Sequence, residues 1–195
     1  TTFADMFLSI PMAHQMSTLF TILDGTKNKQ MLKVMRPYQV YATKAVLNEL
    51  KRADFDLPIN KLGYVWHTTG SGKTITSFKT AWLASRMPNV DKVIFVVDRI
   101  ALTKQTEDNY KAYDPEGSID DSGNVSGTQN TDALEDKLDK NGYGIIVTSV
   151  QKLNTLIKRK NFVVPKKRFV FIVDEAHRST GGESFEELQK VFKGA

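Results

Sequence analysis

Four short runs constrain the fold more than anything else in the chain: "LGYVW" ending at Trp66, "KVIFVV", "GIIVTSV" and "RFVFIV". Each is apolar throughout. A strand with one wet face alternates apolar and polar residues, whereas one covered on both faces does not, as in a parallel sheet. Helical patterns fill the intervals, over residues 73–87, 101–110 and 131–140, with Thr131 a candidate N-cap for the last. Strands alternating with helices predict an α/β domain, a parallel sheet with helices on both faces and right-handed crossovers. "RPYQVYATKAVLNELKR" adds a helix ahead of them, with Pro37 at its first position and Val40, Leu47 and Leu50 on one face. "ESFEELQKVFKG" reads as a last helix. At 195 residues the chain suits one compact domain with a small appendage. The expected division is a helical lead-in or linker over residues 1–30 and the α/β domain over 31–195.

The opening stretch, "TTFADMFLSIPMAHQMSTLFTILDG", is apolar enough to resemble a membrane segment. Pro11, Asp5, His14 and Gln15 interrupt it, and no basic region precedes it, so it predicts two short helices meeting near Pro11 and no membrane span. A chain that starts in an apolar helix reads as a piece of something larger. "DGTKNKQ" reads as a polar turn, and residues 113–130, rich in Asp, Ser and Gly, as a long loop. The absence of cysteine excludes a disulfide scaffold and Cys-ligated zinc, and three scattered histidines argue against a His-rich metal site. A net charge of +5 is compatible with a nucleic-acid partner without demanding one.

"HTTGSGKT" follows the first apolar run directly and precedes a helix directly, the context a Walker A phosphate loop requires. Gly70 and Gly72 allow backbone conformations that a Cβ would block. Successive N–H groups of Thr69, Gly70, Ser71 and Gly72 can then form an anion nest at the positive end of a helix beginning near Lys73. The Lys73 ammonium reaches β- and γ-phosphates, and the Thr74 hydroxyl is a Mg²⁺ ligand. The strict pattern has Gly where this chain has His67, which reads as a packing residue at the strand end. The fourth run ends in Asp174 and Glu175. Ligands of open α/β sheets sit beyond the carboxyl ends of the strands, so this pair and the loop can face one site. Asp174 is expected to hold Mg²⁺, and Glu175 to accept the proton of the attacking water. A nucleoside triphosphate and Mg²⁺ are therefore the expected cofactors, and the resemblance described next implies that the nucleotide is ATP.

"VDEAH" and "HTTGSGKT" resemble the DEAH form of Walker B and motif I of superfamily 2 helicases and translocases. With "RPYQVYA", "VVDRIALTKQ", "IIVTSVQKL" and "DEAHRS", the chain most resembles the motor (R) subunit of type I restriction–modification enzymes, over roughly residues 35–179. The resemblance implies a P-loop NTPase, RecA-like fold and an ATP hydrolase that translocates double-stranded DNA for a type I restriction endonuclease. It also implies a prokaryotic cytoplasmic setting and partnership with methyltransferase and specificity subunits. By position it assigns adenine reading to Gln39, assisted by Arg36, and a DNA track to Arg99, Gln105, Thr148 and Ser149. His177 would couple nucleotide state to later motifs. The basic clusters at 158–160 and 166–168 read as solvated faces, with a phosphate-attracting patch as the alternative. In that family a second RecA-like lobe supplies an arginine finger, so a chain ending soon after the DEAH box holds half of an ATPase site and should turn nucleotide over slowly. Two other readings stay open: another superfamily 2 helicase or remodeller, and a nucleotide-binding interaction module without turnover.

Overall fold

The computed structural model describes residues 2–7, 9–26, 28, 30–57, 63–97, 100–114, 125–127, 130–174 and 183–193. Two short helices, α1 (Thr2–Phe7) and α2 (Ile10–Thr18), meet next to Pro11 as the sequence predicts. The polar turn after them belongs to a hairpin that the sequence reading missed. Its strands β1 (Thr21–Asp24) and β2 (Met31–Val34) pair antiparallel, with Thr21 opposite Val34. The expected boundary at 30/31 thus falls inside a hairpin. Met16, Phe20 and Ile22 from the lead-in are buried in the same core as Val40 and Phe78.

Helix α3 (Pro37–Arg52) follows, then α4 (Lys73–Ala84), β3 (Lys92–Val97), α5 (Ile100–Tyr113), β4 (Val125–Gly127) and α6 (Thr131–Asp139). The chain continues through β5 (Ile145–Ser149), α7 (Val150–Ile157), β6 (Phe169–Val173) and α8 (Glu183–Val191). Strands β5, β3 and β6 form a three-strand parallel sheet, and the three-residue β4 extends it beside β5. The fold is RecA-like α/β.

All six residues of β3 and all five of β5 are buried, which is why their sequences do not alternate. Their side chains nevertheless divide by parity. Val93, Phe95, Val97, Ile145 and Val147 join Phe78, Ala81 and Tyr110 on one face. Ile94, Val96 and Ile146 join Leu134, Leu138, Leu153 and Leu156 on the other. Each fully buried aliphatic chain contributes roughly 1.5–3 kcal/mol. Lys79 of α4 is buried against the lead-in. Its ammonium donates to Thr21 O at 3.1 Å and lies 4.4 Å from the Trp82 ring centre. Burial, and secondarily Arg86, pull its pKa down to about 8.

Two strand expectations need correction. Of the run "LGYVW", the described part is not a strand: residues 63–68 carry no strand pairing, and Tyr64 and Trp66 are 87% and 84% exposed. Among the described residues β6 pairs only with β3. The fourth strand instead comes from the polar segment, where Val125–Gly127 pairs with β5. The α6 cap is also one residue earlier than expected. Asn130 Oδ1 accepts from Ala133 N at 2.8 Å, leaving Thr131 as the first helical residue.

Candidate nucleotide site

The glycine loop is built around a tight turn. Ser71 N donates to Thr68 O at 3.2 Å, and the Ser71 hydroxyl donates to the same carbonyl at 2.8 Å. Gly70 and Gly72 have φ of 78° and 77°, left-handed values that L side chains rarely adopt. A Cβ on Gly72 would also run into Gln39 Nε2. Gly72 is the N-cap of α4 and, having no side chain, offers the first turn of that helix no side-chain cap. Among the described residues nothing accepts from the Gly72 N–H. Thr69 and Gly70 are exposed, and Ser71 to Thr74 are half-buried.

Asp174 follows the last residue of β6, and its N–H donates to Val96 O at 2.9 Å. That bond sets the carboxylate at the carboxyl end of the sheet. Lys73 Nζ lies 3.7 Å from Asp174 Oδ1. Lys73, Thr74 and Asp174 line one cavity together with Ser77, Phe95 and Thr106. This donor set suits a phosphate chain and a hard cation: uncapped amides and an ammonium on one side, a hydroxyl and a carboxylate on the other. Among the described residues no cluster of three or more His, Cys, Asp or Glu is placed to hold a metal ion.

Ser77 and Thr106 escaped the sequence reading. Ser77 lies one helical turn beyond Lys73, a spacing that could have flagged it. Thr106 adjoins Gln105 but faces inward, and only the packing of α5 shows that. Tyr110, fully buried, donates from its hydroxyl to Ser77 Oγ at 2.8 Å, and burial pushes its pKa up. Its ring packs edge-on against Phe78 at 5.2 Å, fastening α5 to α4 below the cavity.

Other expected site residues are placed differently. Gln39 is 4% exposed with both ends of its amide committed. Nε2 donates to Ser71 O at 2.9 Å, and Oε1 accepts from Arg36 N at 2.8 Å. Reading adenine would require both bonds to open; as placed, Gln39 ties α3 to the phosphate loop. The Arg36 side chain is exposed at the start of α3. Gln105 is exposed on α5. Thr148 and Ser149 are not: both are 0% exposed, and the Ser149 hydroxyl accepts from Lys152 N as the cap of α7. The Ser149 hydroxyl serves the strand–helix junction, and neither side chain of the pair is presented at the surface where the DNA-track expectation needs it. Arg99, Glu175 and His177 lie outside the described residues.

Four residues of the basic clusters tie elements together, while Lys160 and Lys166 are exposed. Arg159 bonds Asp132 and Glu135 at 2.6 and 3.1 Å, and Lys158 pairs with Glu187 at 3.2 Å. Lys167 donates to the carbonyls of Leu138, Asp139 and Lys140 at the end of α6. Arg168 grips both oxygens of Asp91, whose pKa is lowered chiefly by that hydrogen bond. His67 has a pKa lowered by burial first and by Lys73 second.

A loop with left-handed glycines, an uncapped helix start and an Asp at a neighbouring strand tip define a P-loop, helicase-like class of domain. Comparison with known proteins agrees. Residues 32–195 match the family described as "Type III restriction enzyme, res subunit". The C-terminal part of a putative type I restriction enzyme endonuclease subunit from Mycoplasma pneumoniae is 42% identical over 171 residues, 83% of this chain and 80% of that one. A type I restriction enzyme endonuclease subunit from Staphylococcus aureus is 35% identical over 196 residues, 99% of this chain. A putative subunit of the same kind from Methanocaldococcus jannaschii is 28% identical over 165 residues, 81% of this chain. The chain therefore belongs to the restriction-enzyme endonuclease (R) subunit family, as the piece that carries its superfamily 2 helicase-like motifs. It spans only 20% of the length of the Staphylococcus relative and 15% of the Methanocaldococcus one.

Proposed function

We propose that this chain forms the ATP·Mg²⁺-binding half of a motor that moves double-stranded DNA for a type I restriction endonuclease. The observation that carries it is the meeting of Lys73, Thr74 and Asp174, from distant stretches of the chain, around one cavity under the uncapped start of α4. The loop amides and Lys73 would hold the phosphates, and Thr74 and Asp174 would hold the metal, which when bound would supply positive charge beside the phosphoryl oxygens. Glu175 takes the proton of the attacking water, His177 couples to later motifs, and a second lobe supplies the arginine. Arg99 and Gln105 carry the DNA backbone contacts, and Arg36 lies near the nucleotide.

The relatives' name implies a DNA substrate and a complex with other subunits, here taken to be methyltransferase and specificity subunits. A DNA substrate of that kind is met in the prokaryotic cytoplasm. No helix among the described residues is long and apolar enough to cross a membrane. ATPase assays of the full-length subunit with and without duplex DNA test this reading. DNA should stimulate hydrolysis, and Glu175→Gln should keep ATP binding while lowering turnover by about 100-fold or more. Unstimulated activity, or wild-type turnover in Glu175→Gln, defeats it.

A further inference from the structure

Ser71 is the most heavily held residue of the loop, and its partners reach it from both sides of the glycine core. From the first turn of α3, Tyr38 Oη donates to Ser71 O at 2.8 Å, and Gln39 Nε2 donates to the same oxygen at 2.9 Å. From the other side, His67 Nδ1 lies 2.9 Å from Ser71 Oγ. That hydroxyl has one proton, and Thr68 O, at 2.8 Å, can only accept it. Ser71 Oγ is therefore left to accept, and His67 donates from Nδ1–H. Burial and Lys73 hold the imidazole neutral at pH 7, so its single ring proton sits on Nδ1.

The consequence follows from peptide geometry. In a trans peptide the C=O of one residue and the N–H of the next point in opposite directions. Drawing the Ser71 carbonyl toward α3 turns the Gly72 N–H away from α3. That N–H meets no acceptor among the described residues. The left-handed φ of Gly72 lets the loop keep this orientation at little cost. We infer that Tyr38 and His67 are positioning residues of the phosphate cradle. They clamp Ser71 from two sides and so aim the Gly72 amide at a phosphate oxygen before any ligand arrives. His67, which departs from the strict glycine-loop pattern, is then a working part of the cradle. Preset donors gain affinity by removing the ordering cost from the binding step.

This inference rests on the nucleotide-site reading, and the test separates the two. Binding of Mg·ATP and of inorganic tripolyphosphate is measured by calorimetry on the intact subunit for wild type, Tyr38→Phe, His67→Ala and His67→Asn. Tyr38→Phe removes only a hydroxyl from a residue that is 43% exposed, so the thermal midpoint should hold. Affinity should fall about fivefold in Tyr38→Phe and about fivefold to tenfold in His67→Ala, by the same factor for both ligands. His67→Asn, whose Nδ2 can occupy the place of the ring Nδ1, should recover most of the loss. Unchanged affinity in Tyr38→Phe and His67→Ala overturns the inference. So does a loss confined to ATP, which would place these residues at the base. Failure of Asn to restore binding overturns the Nδ1 role of His67. If wild type binds neither ligand, the nucleotide-site reading falls and takes this inference with it.

Discussion

Helices α4 and α7 begin in opposite ways. Ser149 is fully buried and accepts from Lys152 N, so part of the first turn of α7 is already satisfied. Gly72, with φ of 77°, offers α4 no side-chain acceptor. A capped start is finished structure, whereas an uncapped start, partly open to solvent, keeps donors in reserve. The difference teaches that a polar residue at a strand end is evidence of function only when its hydrogen bonds are still available. "GSGKT" and "VTSV" look equally polar in sequence, and packing alone separates them.

The comparison can be broken most strongly at Gly72. Gly72→Ala adds left-handed strain of about 1–2 kcal/mol and forces the new Cβ into Gln39 Nε2. Nucleotide affinity measured by titration should fall about tenfold or more, and retained affinity would show that the loop conformation is dispensable. At Gln39 the expected effect is about fivefold. Gln39→Ala should weaken ATP and GTP binding alike, because the amide serves the loop; a loss for ATP alone would restore the adenine-reading role. On the other side of the comparison, Ser149→Ala should lower stability by about 1 kcal/mol in chemical denaturation. Nucleotide affinity should stay within about twofold of wild type, given that the cap is purely structural.

The smallest effect belongs to the opposite end of the sheet, where Asp91 and Arg168 tie the start of β3 to that of β6. Their side chains are 36% and 43% exposed, so solvent screening limits the pair to under about 1 kcal/mol. The carboxyl of Asp91 is held below its ordinary value by Arg168. Its contribution is therefore fully present above pH about 4 and is lost as pH falls through the folded-state value. Asp91→Asn should narrow the stability gap to wild type under acid and leave nucleotide binding alone. A gap that stays constant from neutral pH down through the acid range would remove the linkage.

The three main strands were legible because both faces of β3 and β5 are covered, which leaves unbroken apolar runs. The same signal misled at Tyr64 to Trp66, where the chain is apolar and yet without a strand partner. Strand β4 was hidden because Val-Ser-Gly carries too little apolar pattern, and the hairpin because each of its strands has only four residues. At the site, Lys73, Thr74 and Asp174 were readable from glycine spacing and from position after a strand. Tyr38 and Thr106 were not, since their roles depend on which helix face meets the loop, and the role of His67 depends on the turn that brings Ser71 back to it. Thr148 and Ser149 were assigned to DNA because sequence shows polarity and hides burial.

The uncapped start of α4 and Lys73 together are held to bind a triphosphate, and everything else about the motor depends on that. Calorimetric titration of wild type and Lys73→Ala with a non-hydrolysable Mg·ATP analogue tests it most directly. Saturable binding by wild type and a loss of about 10- to 100-fold in Lys73→Ala, at an unchanged thermal midpoint, is the expected result. Equal affinity in the two proteins would contradict the account.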